Sequence, residues 1–161
     1  MSIKTRVEDA EHLWAQGRKE GAWVQALIAV AATARKRYPR PMGDRKAFTS
    51  FVADISHTIL TGEIGGPGPV YLRFYTEDRA DHRTLEDMLY AELRCNLVHE
   101  AELKEIGFSE SRAVDGKLVG ALSVPTRGRG VIPAFWVLHL IAAVKAAPEN
   151  SDLFGDGARG M

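Results

Sequence analysis

From Ala22 to Ala34 almost every residue is apolar, with Gln25 among the few exceptions. This run of about 13 residues constrains the fold more than any other feature. A helix that is apolar on most sides has to be covered on most sides. Crossing a bilayer takes about 20 such residues, so the run predicts a buried helix and no membrane span. The chain of 161 residues is long enough for one core of that kind and too short for two comfortable domains. Apolar residues make up 45% and charged residues 26%, close to the globular average, which excludes wholesale disorder.

Charge narrows the range of partners. The chain holds 21 basic and 21 acidic residues, a balance that argues against a protein built to coat DNA. The charges are unevenly spread: residues 1–50 carry ten Lys/Arg against five Asp/Glu, and residues 51–110 carry five against twelve. A basic first third has two readings, an anion-binding face or a solvated helix surface, and the second is the favoured one. Cys95 is the single cysteine, so no intramolecular disulfide can form and a reducing, cytoplasmic setting is expected. The opening MSIKTRVEDAEHLW has no apolar core of the kind a signal peptide needs.

The remaining periodicity predicts a mainly α chain, a bundle of four to five helices with a small β-hairpin insertion before the last helix. Residues 5–37 read as one helix, with Ala10, Leu13, Trp14, Gly17, Gly21, Val24, Leu27, Ile28 and Ala31 at spacings of three and four. Gly17 and Gly21 weaken it by roughly 1 kcal/mol each, so the helix bends there or another helix approaches closely. Residues 44–61 form a second helix, with Phe48, Phe51, Val52, Ile55 and Ile59 on one face and Asp44 as its N-cap. GEIGGPGPV, residues 62–70, is a loop, and Val70–Tyr75 a short strand or extended chain. Residues 83–105 form a third helix. Asp115-Gly116 marks a hairpin turn between strands near Ser111–Val114 and Lys117–Val124. Val131–Ala146 is the last helix, stopped by Pro148. Residues 1–147 therefore make one helical domain, and residues 148–161 a flexible tail.

The third helix carries the chemistry. Arg94-Cys95-Asn96-Leu97-Val98-His99 places a guanidinium and an imidazole five positions apart, about 140° around an ideal helix. They do not share a face, so a site using both needs something opposite, and a second copy of the same helix supplies it. The guanidinium binds phosphate through a bidentate fork. The imidazole can take or give a proton near neutrality. With the RNA 2′-hydroxyl as internal nucleophile, those two groups suffice for cleavage without metal.

The segment LYAELRCNLVHEAEL resembles the motif helix of the HEPN superfamily (higher eukaryotes and prokaryotes nucleotide-binding), in which an Arg is followed after four to six residues by His. A long first helix with AWVQALIAVAATARKRYP, an aromatic second helix and a closing apolar helix resemble that family as well. The resemblance implies a helical bundle, commonly a homodimer, and in many members a metal-independent endoribonuclease acting as a toxin or in defence, with an antitoxin or other protein partner. Carried over to this chain, it implies that Arg94 holds the scissile phosphate and His99 acts as acid or base, with no cofactor. Asn96, Cys95 and Glu100 would be supporting residues. Many active members have Asn, Asp or His directly after the arginine. Here Cys95 stands in that place, which leaves a non-catalytic nucleotide-, RNA- or protein-binding module as the alternative.

Blander readings stand beside these. Arg94 could pair with Glu92 or Glu102, and His99 could be a half-buried histidine. A lone helical cysteine is usually a small buried hydrophobe. Asp54 and His57 lie one turn apart, and Asp78, Asp81 and His82 cluster in a loop, yet the Glu-x-x-His pairs of a bundle metal site are absent. The loop TRGRG, residues 126–130, reads as a connection, and Trp14, Trp23 and Trp136 as core or interface.

Overall fold

The computed structural model describes the backbone of residues 2–66, 68–70, 73–74, 83–99, 106–109, 111–120 and 130–155. The chain is mainly helical, with a β-hairpin before its last long helix, as the periodicity predicts. The first helical stretch is not continuous. Helix α1 (Ile3–Ala15) is capped by the Ser2 hydroxyl, which accepts from the Thr5 amide at 3.2 Å. It ends at Gly17, whose φ of +75° is a left-handed conformation that favours glycine. The amide of Arg18 then donates to the Leu13 carbonyl at 2.9 Å, closing the turn. Helix α2 (Lys19–Arg37) runs back against α1. Gly21 acts differently. It lies within α2, and a Cβ there would sit 3.2 Å from Leu13 Cδ1, the end of a side chain on α1.

Helix α2 is the central element. It packs against α1, helix α3 (Asp44–Asp54), helix α5 (Leu85–His99) and helix α6 (Trp136–Ala146). That cover explains its nearly unbroken apolar sequence, with Trp23, Leu27, Ala29 and Val30 fully buried. Trp23 stacks on Phe108 at 5.5 Å between centroids and donates its indole N–H to the Ala134 carbonyl at 3.0 Å. Trp136 is also buried, and Trp14 is partly buried against the core.

The second predicted helix is also divided. Chain direction shifts at Ile55, between α3 and the short helix α4 (Ser56–Thr61). Asp44 is not the N-cap. Gly43 holds that position, and the Asp44 carboxylate pairs with Arg35 instead. Strands β1 (Arg73–Phe74) and β2 (Arg83–Thr84) pair antiparallel just before α5. Thr84 caps α5: its hydroxyl accepts from the Asp87 amide at 3.2 Å and donates to Asp87 Oδ2 at 3.0 Å.

Strands β4 (Ser111–Val114) and β5 (Lys117–Gly120) form the expected hairpin. Its turn residues Asp115 and Gly116 have φ of 51° and 76°, the left-handed pair an Asp-Gly two-residue turn requires. Val131–Pro133 is not helix. With Gly130 it forms strand β6 (Gly130–Pro133), parallel to β3 (Ile106–Ser109), in register Ile106↔Gly130 to Ser109↔Pro133. The β-branched Val131 and Ile132 favour extended chain, and a residue preceding proline avoids helical geometry. Helix α6 begins only at Trp136.

The C-terminal segment differs from the expected tail. Pro148–Asn150 form a 3₁₀ turn and Ser151–Phe154 a short helix, α7. Asn150 is fully buried, and its amide donates to Thr33 Oγ1 and to the Val144 carbonyl, both at 2.9 Å. Leu153 and Phe154 pack against the core. One buried amide with two acceptors holds a segment whose composition alone reads as solvated chain.

Candidate functional site

Helix α5 presents two unlike faces. Leu85, Met88, Leu89 and Leu93 are buried against the core, and Glu92 is buried with them. Arg94, the next residue but one, is exposed. It makes no hydrogen bond or ion pair with a described residue, so the reading as partner of Glu92 does not hold, and Glu102 lies outside the described residues. Helix α5 continues through Cys95 and Asn96 to His99, which puts the motif on one unbroken helix. The side chains of Cys95, Asn96 and His99 lie outside the described residues, as does Glu100 altogether.

Beside Arg94 lies a cleft of about 510 Å³ between α2, α3 and α5. Ile28, Ala31, Ala47 and Leu93 make its apolar walls, Tyr90 closes one side, and Arg35, Arg40, Asp44 and Arg94 line the rest. Tyr90 and Arg94 are one turn apart on α5, which brings both to this opening. The tyrosine ring is fixed by Phe48, at 5.6 Å, and by the Arg45 guanidinium, 5.7 Å above its centroid.

The three arginines are not equivalent. Arg35 is structural: its Nη1 donates to the carbonyls of Tyr38 at 3.2 Å and Met42 at 2.7 Å, and its Nη2 pairs with Asp44. Those bonds fix the loop that follows α2. Arg40, exposed on that loop, makes no hydrogen bond or ion pair with a described residue. The cleft thus has an apolar interior, an aromatic side and two guanidiniums, Arg40 and Arg94, uncommitted among the described residues. That combination suits a ligand with a flat apolar body and an anionic group.

Other candidates separate. Asp54 and His57 do not converge. Asp54 Oδ2 accepts from Tyr38 Oη and from Arg37 Nη1, the latter at 3.2 Å, while His57 Nε2 lies 3.7 Å from Glu63. Among the described residues, no group of three or more His, Cys, Asp or Glu could hold a metal ion. Asp78, Asp81, His82 and residues 126–129 of TRGRG lie outside the described residues. No helix of the described residues is long and apolar enough to cross a membrane.

Three bases of the first third, Lys36, Arg37 and Arg45, pair with acids from elsewhere in the chain. Arg37 forms a fork on Glu149, with Nε to Oε1 at 2.7 Å and Nη2 to Oε2 at 3.1 Å. That fork holds the Glu149 carboxyl below its ordinary range, more than burial raises it. Arg45 reaches Asp87 at 3.0 Å, and Lys36 lies 3.9 Å from Asp152. Part of the uneven charge is therefore complementarity between segments. Sequence reasoning does not single out Arg40 or Tyr90. For Tyr90 the available signal is its spacing of four from Arg94. For Arg40, set by a loop, there is none.

A protein-family model described as Rv1289 matches residues 2–155. No curated protein and no solved structure matches the chain. The match takes in the helical core, the β-strands and the C-terminal turn, and the chain belongs to the Rv1289 family.

Proposed function

We propose that this chain is a HEPN-like helical module that binds RNA or a nucleotide, with Arg94 as the phosphate contact. The observation that carries the reading is the exposed Arg94, uncommitted among the described residues, at the mouth of an apolar cleft walled by Tyr90. A base entering the cleft would lie against the tyrosine ring, and its phosphate would meet Arg94 and Arg40 at the rim. The resemblance of LYAELRCNLVHEAEL to a HEPN motif helix supports the same reading.

A second reading adds catalysis: a metal-independent endoribonuclease in which His99 serves as acid or base. It is favoured by the placement of Arg94 and His99 on one continuous helix. Because about 140° separates them, a homodimer pairing two α5 helices would bring the guanidinium of one copy to the imidazole of the other. A toxin or defence role, with an antitoxin partner, belongs to this reading.

The test uses fluorescence anisotropy with a labelled single-stranded RNA, at two salt concentrations. Arg94→Ala should weaken binding about tenfold, the scale of one charge-assisted hydrogen bond, and reduce the salt slope. Equal affinity of wild type and Arg94→Ala would remove the proposal. For the catalytic reading, RNA incubated with EDTA should yield 2′,3′-cyclic phosphate ends, and His99→Ala should bind RNA without cutting it. Cleavage that persists in His99→Ala excludes that residue as the acid or base.

A further inference from the structure

A second opening, a groove of about 620 Å³, adjoins the Arg94 cleft. Arg45, Lys46 and Thr49 of α3 line it, together with Tyr90 and Asp44. Those last two residues also line the Arg94 cleft, so the two openings meet at them.

The charge of the joined surface is one-sided. Its lining holds five bases, Arg35, Arg40, Arg45, Lys46 and Arg94, against one acid, Asp44. Arg35 pairs with Asp44 and offsets its charge. Arg45 spends Nη2 on Asp87 at 3.0 Å, and its guanidinium lies 5.7 Å above the Tyr90 ring. Lys46, exposed in the groove, makes no hydrogen bond or ion pair with a described residue. Arg40 and Arg94 in one opening and Lys46 in the other are thus uncommitted among the described residues, and Tyr90 stands between them.

Such a surface complements negative charges that repeat along a chain. A cavity of about 300–1,000 Å³ is enough for one small ligand, so a mononucleotide fits the Arg94 cleft and leaves Lys46 unused. A strand would carry its next phosphate past the ring into the groove. A basic track interrupted by an aromatic side chain is the pattern that single strands bind, phosphates to the cations and bases to the ring.

We propose that the two openings form one track for single-stranded RNA, in which Arg94 and Arg40 hold one phosphate and Lys46, beside Arg45, holds the next. This rests on the reading of Arg94 as a phosphate contact and extends it from one nucleotide to at least two. An acidic peptide matches the charge but leaves the Tyr90 ring and the apolar walls of the cleft unused.

The experiment is isothermal titration of the full chain, at two salt concentrations, with uridine 5′-monophosphate, a 5′-phosphorylated 2′-O-methyl diuridine and tri-glutamate. The methyl group blocks the 2′-hydroxyl, so the dinucleotide stays intact. It should bind about tenfold or more tightly than the mononucleotide, the scale of one charge-assisted hydrogen bond. Its salt slope should be steeper by about 0.7, the value for one further phosphate of a single strand. Lys46→Gln should bring the two affinities together, and Arg94→Ala should weaken both. Equal affinity of the wild type for the two nucleotides, with Arg94→Ala still weakening both, overturns the track and leaves the Arg94 reading in place. Mononucleotide binding that is indifferent to Arg94→Ala removes that reading, and the track falls with it. A dinucleotide preference that survives in Lys46→Gln, or tri-glutamate bound as tightly as the dinucleotide, also overturns the proposal.

Discussion

At the scale of single residues, Trp23 shows how one side chain joins parts of the chain that the sequence keeps far apart. Its ring stacks on Phe108 in β3, and its N–H reaches the Ala134 carbonyl just beyond β6. Trp23→Phe removes the bond and shrinks the ring. The Ala134 carbonyl keeps a longer bond from the Val137 amide at 3.3 Å, so it is not left without a donor. We expect a loss of roughly 1–2 kcal/mol from the missing hydrogen bond and the smaller side chain. Urea denaturation should show a lower midpoint with an unchanged slope. That Trp23 is buried is legible from its place in an apolar run. Its hydrogen-bond partner, 111 positions away, is not.

At the scale of elements, the two glycines of the first helical stretch can be told apart by substitution. Gly17 needs a left-handed backbone and has open space around it, so Gly17→Ala should cost about 1 kcal/mol through strain alone. Gly21 is helical, and its Cβ would meet only the end of the half-buried Leu13 side chain. That side chain can turn aside, and alanine gains roughly 1 kcal/mol of helix propensity over glycine. Gly21→Ala should therefore be neutral or stabilising. Thermal melts of the two variants, moving in the same direction by the same amount, would contradict this division of roles. Sequence spacing locates the weak point between residues 17 and 21, where it offers a bend or a close approach. It does not reveal that Gly17 supplies the bend while Gly21 sits inside α2 beside the Leu13 side chain. Parallel pairing of β3 with β6 is invisible for a different reason: no local pattern links segments separated by a hairpin. The β4–β5 hairpin itself is legible because Asp-Gly states its own turn geometry.

At the scale of the whole molecule, ion pairs and buried amides tie distant segments together. Glu149 belongs to a turn after α6, yet Arg37 of α2 grips it in a bidentate fork and also reaches Asp54 of α3. The carboxyl of Glu149 is held below its ordinary 4.5 chiefly by the Arg37 hydrogen bond. A carboxyl depressed in the folded state contributes stability above its unfolded value and loses it as pH falls toward the native one. Acidification below about pH 4.5 should therefore reduce unfolding free energy. Glu149→Gln should lower stability at neutral pH and flatten that decline, as urea titrations across the range would show. An equally steep decline in the variant would assign the acid sensitivity to other groups. Mainly helical architecture can be read from periodicity alone. The cleft beside Arg94 comes from packing between helices that sequence reading treats one at a time.

The clasp around Asn150 and Glu149 has a further consequence. A chain leaving the ribosome makes α2 early, but the amide that binds Thr33 is translated 117 positions later. Until then the Thr33 hydroxyl and the Arg37 guanidinium have to wait without these partners. Co-translational folding can thus gather the N-terminal helices, while the core locks only after the turn beyond α6 has emerged.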